Sequence, residues 1–376
     1  MTDPCLALLR DLIAIDSVNP SLVAGAAGEG QIAAVVAAHM RRLGLDVEMQ
    51  EAAPGRPNVI GVLEGRQRGP SLMFCGHLDT VGVEGMNAPF DPVVRDGRLY
   101  GRGSQDMKGG VAAMIDAARV VAEHGLSKGR LVIAAVVDEE FESIGADALV
   151  TKWNADAAVV TEPTDLQIGV AHKGFVWLEV EVRGRAAHGS RPADGRDAIV
   201  RMGRVLERLE RLDRALQSRP PHPFMGTASL HASTIVGGRE WSSYPDCCRL
   251  QLERRTISGE TAATAAAEVD AILLELRTND SDFDGSARTI FSRMAYEIPA
   301  GHELPRLLSG ASLKGAPVVG MSFWTDAAIL GGAGIPSVLF GPGGAGLHSV
   351  EEYVRIEEVS ACRDALASLA LTWTQN

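Results

Sequence analysis

The sequence predicts an α/β protein of two domains. Short apolar runs such as Leu131–Val137 and Ala157–Val160 are typical of buried central strands, and stretches with helical spacing of apolar residues lie between such runs. From Gly174 onward the pattern changes to strands in which apolar and polar residues alternate. A length of 376 residues also exceeds what one ordinary compact core holds, so two domains are expected.

The first domain alternates helices and strands along the chain. The spacing of apolar residues predicts helices at Pro4–Ile15, Glu29–Leu43 and Val111–His124. Apolar runs predict strands at Asn58–Leu63, Ser71–Cys75, Leu131–Val137, Ala157–Val160 and Pro336–Phe340. Asp96-Gly97 is a hairpin signal inside the turn-rich segment 89–100.

The second domain is predicted to be an insertion in the first. Its strands are expected at Phe175–Val182, Ser229–Ile235, Cys248–Arg254 and Thr289–Tyr296, and its helices at Asp197–Leu216 and Glu260–Arg277. This strand-helix-strand-strand-helix-strand order is typical of an α+β sandwich. We therefore assign residues 174–297 to the inserted domain, and residues 1–173 and 298–376 to the first domain.

The composition indicates a soluble protein that binds a small molecule or a divalent cation. A net charge of −12 and a pI near 5.3 exclude the basic surface that nucleic-acid binding needs. No apolar run approaches the roughly 20 residues of a membrane span, and residues 1–5 show no export signal, so a cytoplasmic location without membrane contact is expected. Five cysteines without framework spacing indicate reduced thiols.

The stretch Leu72–Thr80 reads as a buried strand that ends in His77 and Asp79. Residues just past such a strand point into the crevice where open α/β sheets bind ligands. Because side chains alternate along extended backbone, Asp79 can orient His77 or a neighbouring group. On these residues alone, a hairpin-end histidine with a solvated aspartate is an equally good interpretation. Cys75 in the same strand is expected to be a small core residue.

Further acids and one more histidine are predicted in the glycine loop or in loops that follow strands. Together with His77 they form a set of two imidazoles and four carboxylates: His77, Asp106, Glu139, Glu140, Glu162 and His348. Nitrogen and oxygen ligands suit Zn²⁺ or a similar ion, and a carboxylate can bridge two ions about 3.5–4 Å apart in two-metal hydrolases. The neighbours Glu139 and Glu140 point in different directions, so one can bind metal while the other addresses water. Solvated acids at strand ends are the alternative.

The segment Gly101-x-Gly-x-x-Asp106 invites a nucleotide-binding interpretation, because glycine loops before helices bind phosphates. Asp106 replaces the third glycine, and its carboxylate would repel a phosphate at this helix N-terminus. The same loop suits cations, because its glycines allow close approach of the backbone.

Six segments in this order resemble the family of acetylornithine deacetylase, succinyl-diaminopimelate desuccinylase, aminoacylase-1 and glutamate carboxypeptidase. They are GHLDT (76–80), GRGSQDMKGG (101–110), DEE (138–140), TEPT (161–164), AHGSRP (187–192) and GPGGAGLHSVEEYV (341–354). The resemblance covers essentially the whole chain. It implies a zinc-peptidase-like catalytic domain with a central mixed sheet flanked by helices, and an inserted α+β lid domain that dimerises.

The resemblance also implies a ligand set for two zinc ions per subunit, which Co²⁺ or Mn²⁺ can replace. His77, Asp106 and Glu162 would hold one ion, and Asp106, Glu140 and His348 the other, with Asp106 bridging. The partner molecules are then a small-molecule substrate and a second copy of this chain.

Four further roles follow from the resemblance. Asp79 would support His77, and Glu139 would be the general base. His188 in the lid would reach the partner subunit's active site, and Arg255 suits the substrate's α-carboxylate. A cis peptide is implied after Asp106. Two segments depart from many members: Ser242-Ser-Tyr-Pro245 stands where they carry Asn-x-x-Pro, and Glu253-Arg254-Arg255 where they carry Asp-x-Arg.

The predicted function is zinc-dependent hydrolysis of the amide bond of an N-acyl amino acid or a related small amide, as in acetylornithine deacetylase. The nearest alternative is a dipeptidase or carboxypeptidase of the glutamate carboxypeptidase type. Two other classes stay open: a binding protein on an inactive hydrolase scaffold, and a hydrolase that uses Cys75 or Ser104 as its nucleophile.

Overall fold

The computed structural model describes residues 3–313 and 315–375. Contacts divide the chain into two compact units, a first with residues up to Val170, Ile298–Val319 and Thr325 onward, and a second with Ala171–Glu297 and Gly320–Trp324. From the sequence, residues 171–173 and 320–324 are expected in the first domain. They belong to the second unit because His172 pairs with Tyr296 and its ring contacts Trp324.

Helices and strands alternate through most of the first unit, as expected. Within the described residues the helices are α1 Pro4–Ile13, α2 Gly30–Arg42, α3 Gly109–His124, α4 Ile144–Lys152, α5 Ala198–Gln217, α6 Ala262–Asn279, α7 Leu304–Ala311, α8 Ala327–Gly332 and α9 Ile356–Trp373. The strands are β1 Asp46–Ala53, β2 Arg56–Glu64, β3 Gln67–His77, β4 Val93–Arg95, β5 Arg98–Tyr100, β6 Lys128–Val136, β7 Ala157–Val160, β8 Ile168–His172, β9 Gly174–Arg183, β10 Ser229–Gly237, β11 Cys247–Thr256, β12 Asp284–Arg293, β13 Tyr296–Glu297, β14 Val318–Met321, β15 Ser337–Leu339, β16 Gly344–Ala345 and β17 Tyr353–Arg355.

The central sheet of the first unit is mixed and has the strand order β1-β2-β6-β3-β7-β15-β8. β3 lies between β6 and β7 and runs parallel to both, with His77 opposite Val136 and Cys75 opposite Val160. These three strands are apolar and buried, as parallel strands covered on both faces must be. Their carboxyl ends therefore meet at one edge of the sheet, and the loops that follow them emerge side by side.

Helices flank this sheet. α1, α3 and α9 contact one another, and α7 packs on α9. α3 and α9 also pack on β3, whereas α2 and α4 pack on β1 and β2. α1 shows the local chemistry that starts such a helix: Asp3 caps it by accepting the Cys5 N–H at 2.8 Å, and Pro4 occupies the first turn. The α/β fold with a central mixed sheet is confirmed.

A small second sheet in this unit connects two of the predicted site loops. Its order is β16-β17-β5-β4, and Tyr353 pairs with Tyr100. The glycine loop follows β5 and the His348 loop precedes β17, so this pairing brings together two segments that are distant in sequence.

The second unit is an antiparallel sheet of order β10-β11-β9-β12 covered by two helices. Alternate residues of β9, from Val176 to Val182, pack with the apolar faces of α5 and α6. Asp197 caps α5, and a Thr261–Thr264 capping box starts α6.

Some elements differ from the sequence prediction. β12 begins at Asp284 and ends at Arg293, so the strand predicted at Thr289–Tyr296 is wrong at both ends. β1, α4 and α9 were not predicted. β1 is a partly exposed edge strand, and its sequence lacks the strict apolar alternation by which such strands are recognised. All five cysteines are free thiols, and the helices of the described segments include none long and apolar enough to cross a membrane.

Candidate metal centre

Most of the predicted site residues meet at the sheet edge where β3, β6 and β7 end. His77 is the last residue of β3, Glu139 and Glu140 lie in the turn after β6, and Glu162 follows β7. Asp106 lies in the segment Ser104–Lys108 before α3, at a kink where its backbone is not helical, and its peptide bond to Met107 is cis, as the resemblance implies.

His77 is the buried centre of this group, with 1% of its side chain exposed. Its Nε2 lies 3.1 Å from Asp106 Oδ1, 3.9 Å from Glu139 Oε2 and 4.0 Å from Glu162 Oε1. Its Nδ1 lies 3.0 Å from the Asp79 carbonyl oxygen, which assigns the Nδ1 proton to this hydrogen bond. In the neutral imidazole, Nε2 then carries the lone pair and faces the carboxylates, as a metal-binding imidazole requires.

Asp106 stands between the two predicted histidines. Its Oδ1 faces His77, and its Oδ2 lies 3.4 Å from His348 Nε2. The same His348 nitrogen lies 3.2 Å from Glu140 Oε2. Each oxygen of Asp106 therefore faces a different imidazole, which is the arrangement that a bridging carboxylate needs.

Ligand atoms close enough to share an ion occur in two groups: His77, Glu139 and Glu162, and His77, Asp106 and Glu140. The structure thus brings together the five predicted ligands and Glu139. It also places Glu139 within ligand range, whereas the sequence analysis gives it the role of base.

The pKa shifts and the unpaired carboxylate oxygens of this cluster indicate a site for cations. Burial raises the pKa of Glu139 and of Glu162 well above the usual range, and raises that of Glu140 to about 7. Hydrogen bonding to Asp106 raises the pKa of His348 to about 10. Among the described residues, buried oxygens of Glu140 and Glu162 have no hydrogen-bond partner. Crowded, buried carboxylates with unused lone pairs are stabilised by bound divalent ions.

Asp79 supports the turn after β6 more directly than it supports His77. Its carboxylate accepts the backbone N–H groups of Glu139 and Glu140, both at 3.1 Å, and an amide N–H of Asn19 at 2.8 Å. The distance from Asp79 Oδ1 to His77 Nδ1 is 3.5 Å, so its carbonyl oxygen makes the shorter contact. Asp79 therefore fixes the backbone of the two neighbouring glutamates.

Glu352 occupies the anion-binding hollow of the glycine loop, and the sequence analysis did not identify it. Its carboxylate accepts the backbone N–H groups of Gly103, Gln105 and Asp106 at 2.9, 2.9 and 3.1 Å, and pairs with Arg102 at 2.7 Å. The loop does bind an anion, but one from its own chain. Because Glu352 lies in the same segment as His348, its side chain links that segment to the backbone of Asp106.

Glu352→Gln is expected to lower the free energy of unfolding by about 3–5 kcal/mol, because it leaves the buried Arg102 without its counter-charge. It should also weaken metal binding by about 10–100-fold. Urea unfolding and metal titration measure the two effects. Glu351→Gln is the matched control: its side chain is 70% exposed and pairs at 3.8 Å with an exposed arginine, so a change below about 1 kcal/mol is expected. Equal effects of the two variants would contradict this role of Glu352.

Two predicted residues lie in the second unit. His188 is exposed, and its Nδ1 accepts the Ser190 N–H at 3.2 Å and lies 2.7 Å from Ser190 Oγ. The neutral ring therefore carries its proton on Nε2, which is a hydrogen-bond donor. The Ser242 carbonyl oxygen accepts the Gly189 N–H at 2.7 Å, so the segment that departs from the family pattern packs beside His188.

Arg255 differs in environment from its neighbour Arg254. Arg254 is buried and pairs with Glu260 and Glu268, which is a structural role. The side chain of Arg255 is 30% exposed, and its Nε pairs with Glu253 at 2.8 Å. Its guanidinium lies 5.7 Å from the ring centre of Phe175. The side chain of Arg255 is thus partly exposed, and its ion pair with Glu253 uses Nε rather than a terminal amino group.

The structure argues against Cys75 as a nucleophile. Its side chain is fully buried in β3, and burial raises the pKa of its thiol well above the usual range. Ser104 is also buried.

Imidazoles and carboxylates gathered at the edge of a mixed α/β sheet define a metallohydrolase. The family of metallohydrolases is identified by sequence: the model of Peptidase family M20/M25/M40 matches residues 73–372, and the chain belongs to this family. Its members act on amide bonds with the help of metal ions, and this chain is a metal-dependent amide hydrolase.

Curated relatives cover nearly the whole chain. Acetylornithine deacetylase from Myxococcus xanthus is 32% identical over 380 residues, covering 96% of this chain and 95% of that protein. N-formyl-4-amino-5-aminomethyl-2-methylpyrimidine deformylase from Bacillus subtilis is 29% identical and covers 90% of this chain and 88% of that protein.

Solved structures share the fold. A tripeptidase from Staphylococcus aureus superposes with a TM-score of 0.82 at 21% identity, covering 99% of this chain and 98% of that one. The Bacillus subtilis YXEP protein, described as a dinuclear metal-binding peptidase, gives a TM-score of 0.75 at 16% identity, with 99% and 98% coverage.

Proposed function

We propose that the protein is a zinc-dependent deacylase that hydrolyses the amide bond of an N-acyl amino acid or a related small amide. The observation that carries this proposal is Asp106, held between His77 and His348 with one oxygen towards each. The names of both curated relatives describe removal of an acyl group from nitrogen, which favours a deacylase over a peptidase.

The residues present fit two ions. His77 and Glu162 would hold one, Glu140 and His348 the other, and Asp106 would bridge them. When bound, zinc ions act as Lewis acids that polarise the amide carbonyl and lower the pKa of water to about 7. The Glu140 and Glu162 oxygens without partners support this assignment.

Glu139 would supply the proton transfers. Its carboxylate accepts a proton from the attacking water as the new C–O bond forms, and donates it to the nitrogen as the C–N bond breaks. The products are a carboxylic acid and an amine, which balances the hydrolysis of one amide by one water. The hydrogen bond from the Glu139 N–H to Asp79 supports this role, because it fixes the backbone that carries the base.

His188 would stabilise the oxyanion in the partner subunit of a homodimer formed through the lid domain. Its exposed ring, with a donor at Nε2, supports this proposal.

Five free thiols support a cytoplasmic location, where cysteines stay reduced.

Arg255 would bind the substrate's α-carboxylate. Wild-type kcat/KM for an N-acyl amino acid is expected to exceed that for its carboxamide by about 10–100-fold, the value of a hydrogen bond to a charged group. Arg255→Met should remove this preference. Arg249→Met, an exposed residue of the same strand, is the control and should keep it. Equal kcat/KM for the acid and the carboxamide in the wild type would exclude this role.

The proposed function is tested with a substrate panel. N-formyl, N-acetyl, N-succinyl and N-aroyl amino acids and dipeptides are assayed with purified protein and added Zn²⁺. We expect hydrolysis of one acyl class with a higher kcat/KM than any dipeptide. Preferred cleavage of dipeptides would replace the proposal with a dipeptidase, and activity that survives chelators would contradict a metal mechanism.

A further inference from the structure

We propose that Arg56 is a positioning residue for residues 138–140, the turn after β6, which we call the catalytic turn. Arg56 acts through Asn19 and Asp79 on the backbone of Glu139 and Glu140. This inference rests on the proposed function for its consequence in catalysis. Arg56 is the first residue of β2 and belongs to none of the motifs that identify the family.

Arg56 is held in a buried acidic environment behind the metal centre. Its Nη2 lies 2.5 Å from Glu29 Oε1 and 2.8 Å from Asp138 Oδ1, and its Nε donates to Glu29 Oε2 at 2.8 Å. The Arg56 side chain is 11% exposed, and those of Glu29 and Asp138 are at most 1% exposed. The guanidinium thus makes two hydrogen bonds to the Glu29 carboxylate and also contacts the carboxylate of Asp138.

Asn19 transmits this arrangement to Asp79. Its Oδ1 accepts the Arg56 Nη2–H at 3.1 Å and the Ser21 backbone N–H at 2.8 Å, and these two bonds together fix the orientation of the amide. Its Nδ2 then donates to Asp79 Oδ2 at 2.8 Å and to Asp138 Oδ1 at 3.1 Å. Every polar group of the Asn19 side chain is therefore used, and the Arg56 bond is the side-chain contact that orients its oxygen.

Asp79 and Asp138 share the support of the catalytic turn. Asp79 accepts the Glu139 and Glu140 N–H groups. Asp138 adopts a left-handed backbone with φ of 70°, and its carbonyl oxygen accepts the Ser143 N–H at 2.7 Å. Both aspartates are buried, and Asn19 contacts each of them.

Charge and geometry together explain why arginine is needed at position 56. Glu29, Asp79 and Asp138 are three buried carboxylates, and Arg56 is the cation that contacts two of them. A lysine keeps the charge, but its single ammonium cannot grip Glu29 with two nitrogens and hold the Asn19 amide as well. Arg56→Lys therefore tests orientation without removing the charge.

The first test measures Arg56→Lys, Asn19→Ala and Arg56→Lys/Asn19→Ala with the amide that the wild type hydrolyses best. Each single variant is expected to lower kcat by about 10–100-fold with little change in KM, the range for partners that orient metal-site groups. The double variant should lose no more than the worse single variant, because both act through Asp79. Arg66→Lys, an exposed arginine beyond the other end of β2, is the control and should match the wild type.

The second test does not depend on activity. In metal-free protein, the backbone amide proton resonances of Glu139 and Glu140 should shift upfield in Arg56→Lys and Asn19→Ala, since their hydrogen bonds to Asp79 lengthen, and stay in place in Arg66→Lys. Asn19→Ala keeps the Arg56 ion pairs, so it tests the relay even if Arg56→Lys folds poorly. Unshifted resonances, or kcat equal to wild type in an active enzyme, would overturn the inference. An inactive wild type would instead count against the proposed function and leave the resonance test intact.

Discussion

Replacement of Glu139 by glutamine is expected to lower kcat by about 10²–10⁴-fold while the bound metal stays at the wild-type level. Glutamine keeps the size of the side chain but can no longer accept the proton of the attacking water. Steady-state kinetics and metal analysis of the same preparation measure the two quantities.

The structure makes this experiment more discriminating, because Glu139 lies 3.9 Å from His77 and within ligand range of Glu162. Glu140→Gln is the matched variant at the neighbouring position. As a ligand, Glu140 should be required for full metal content as well as for activity. Loss of metal in Glu139→Gln and retention in Glu140→Gln would reverse the two roles.

His188→Ala is expected to lower kcat by about 10²–10³-fold, the value of one donor to the oxyanion. Its fold should be unaffected, because the ring is exposed and bonds to its own loop. Arg191→Ala, a change to an exposed residue of the same loop, controls for disturbance of the loop and should retain more activity.

Complementation tests whether His188 acts across a dimer. Inactive Glu139→Gln and His188→Ala subunits are mixed under conditions that allow exchange. A mixed dimer has one site with both an intact Glu139 and an intact His188 of the partner subunit, so about half of the wild-type activity per dimer is expected. No recovery after verified exchange, or full activity in a monomer, would exclude action in trans.

Much of the metal centre could be predicted from strand ends alone. The apolar runs that end at His77, before Glu139 and before Glu162 become three adjacent parallel strands, and parallel strands deliver their following loops to one edge. Asp106 and His348 also belong to the set collected from loop positions, but no local pattern shows that they meet the other four, because their loops are brought together by the pairing of β5 with β17.

The supporting network could not be predicted in this way. Glu352 and Asp106 are 246 residues apart, and Asn19 and Asp138 are 119 apart, so no local spacing connects them. Arg56 gives no signal in the sequence, since arginine at the start of a strand is usually solvated. Apart from Asp79, the residues that support the candidate site became visible only once the chain was folded.

The proposed hydrolysis depends on two ions, which His77, Asp106, Glu140, Glu162 and His348 would hold and which would supply Lewis-acid chemistry when bound. Metal-free protein is titrated with Zn²⁺, and bound metal and the rate of hydrolysis of the best substrate are measured on the same samples. We predict that the rate rises to its maximum only as the second ion per chain binds. Full activity with one ion bound per chain at saturation would contradict the claim.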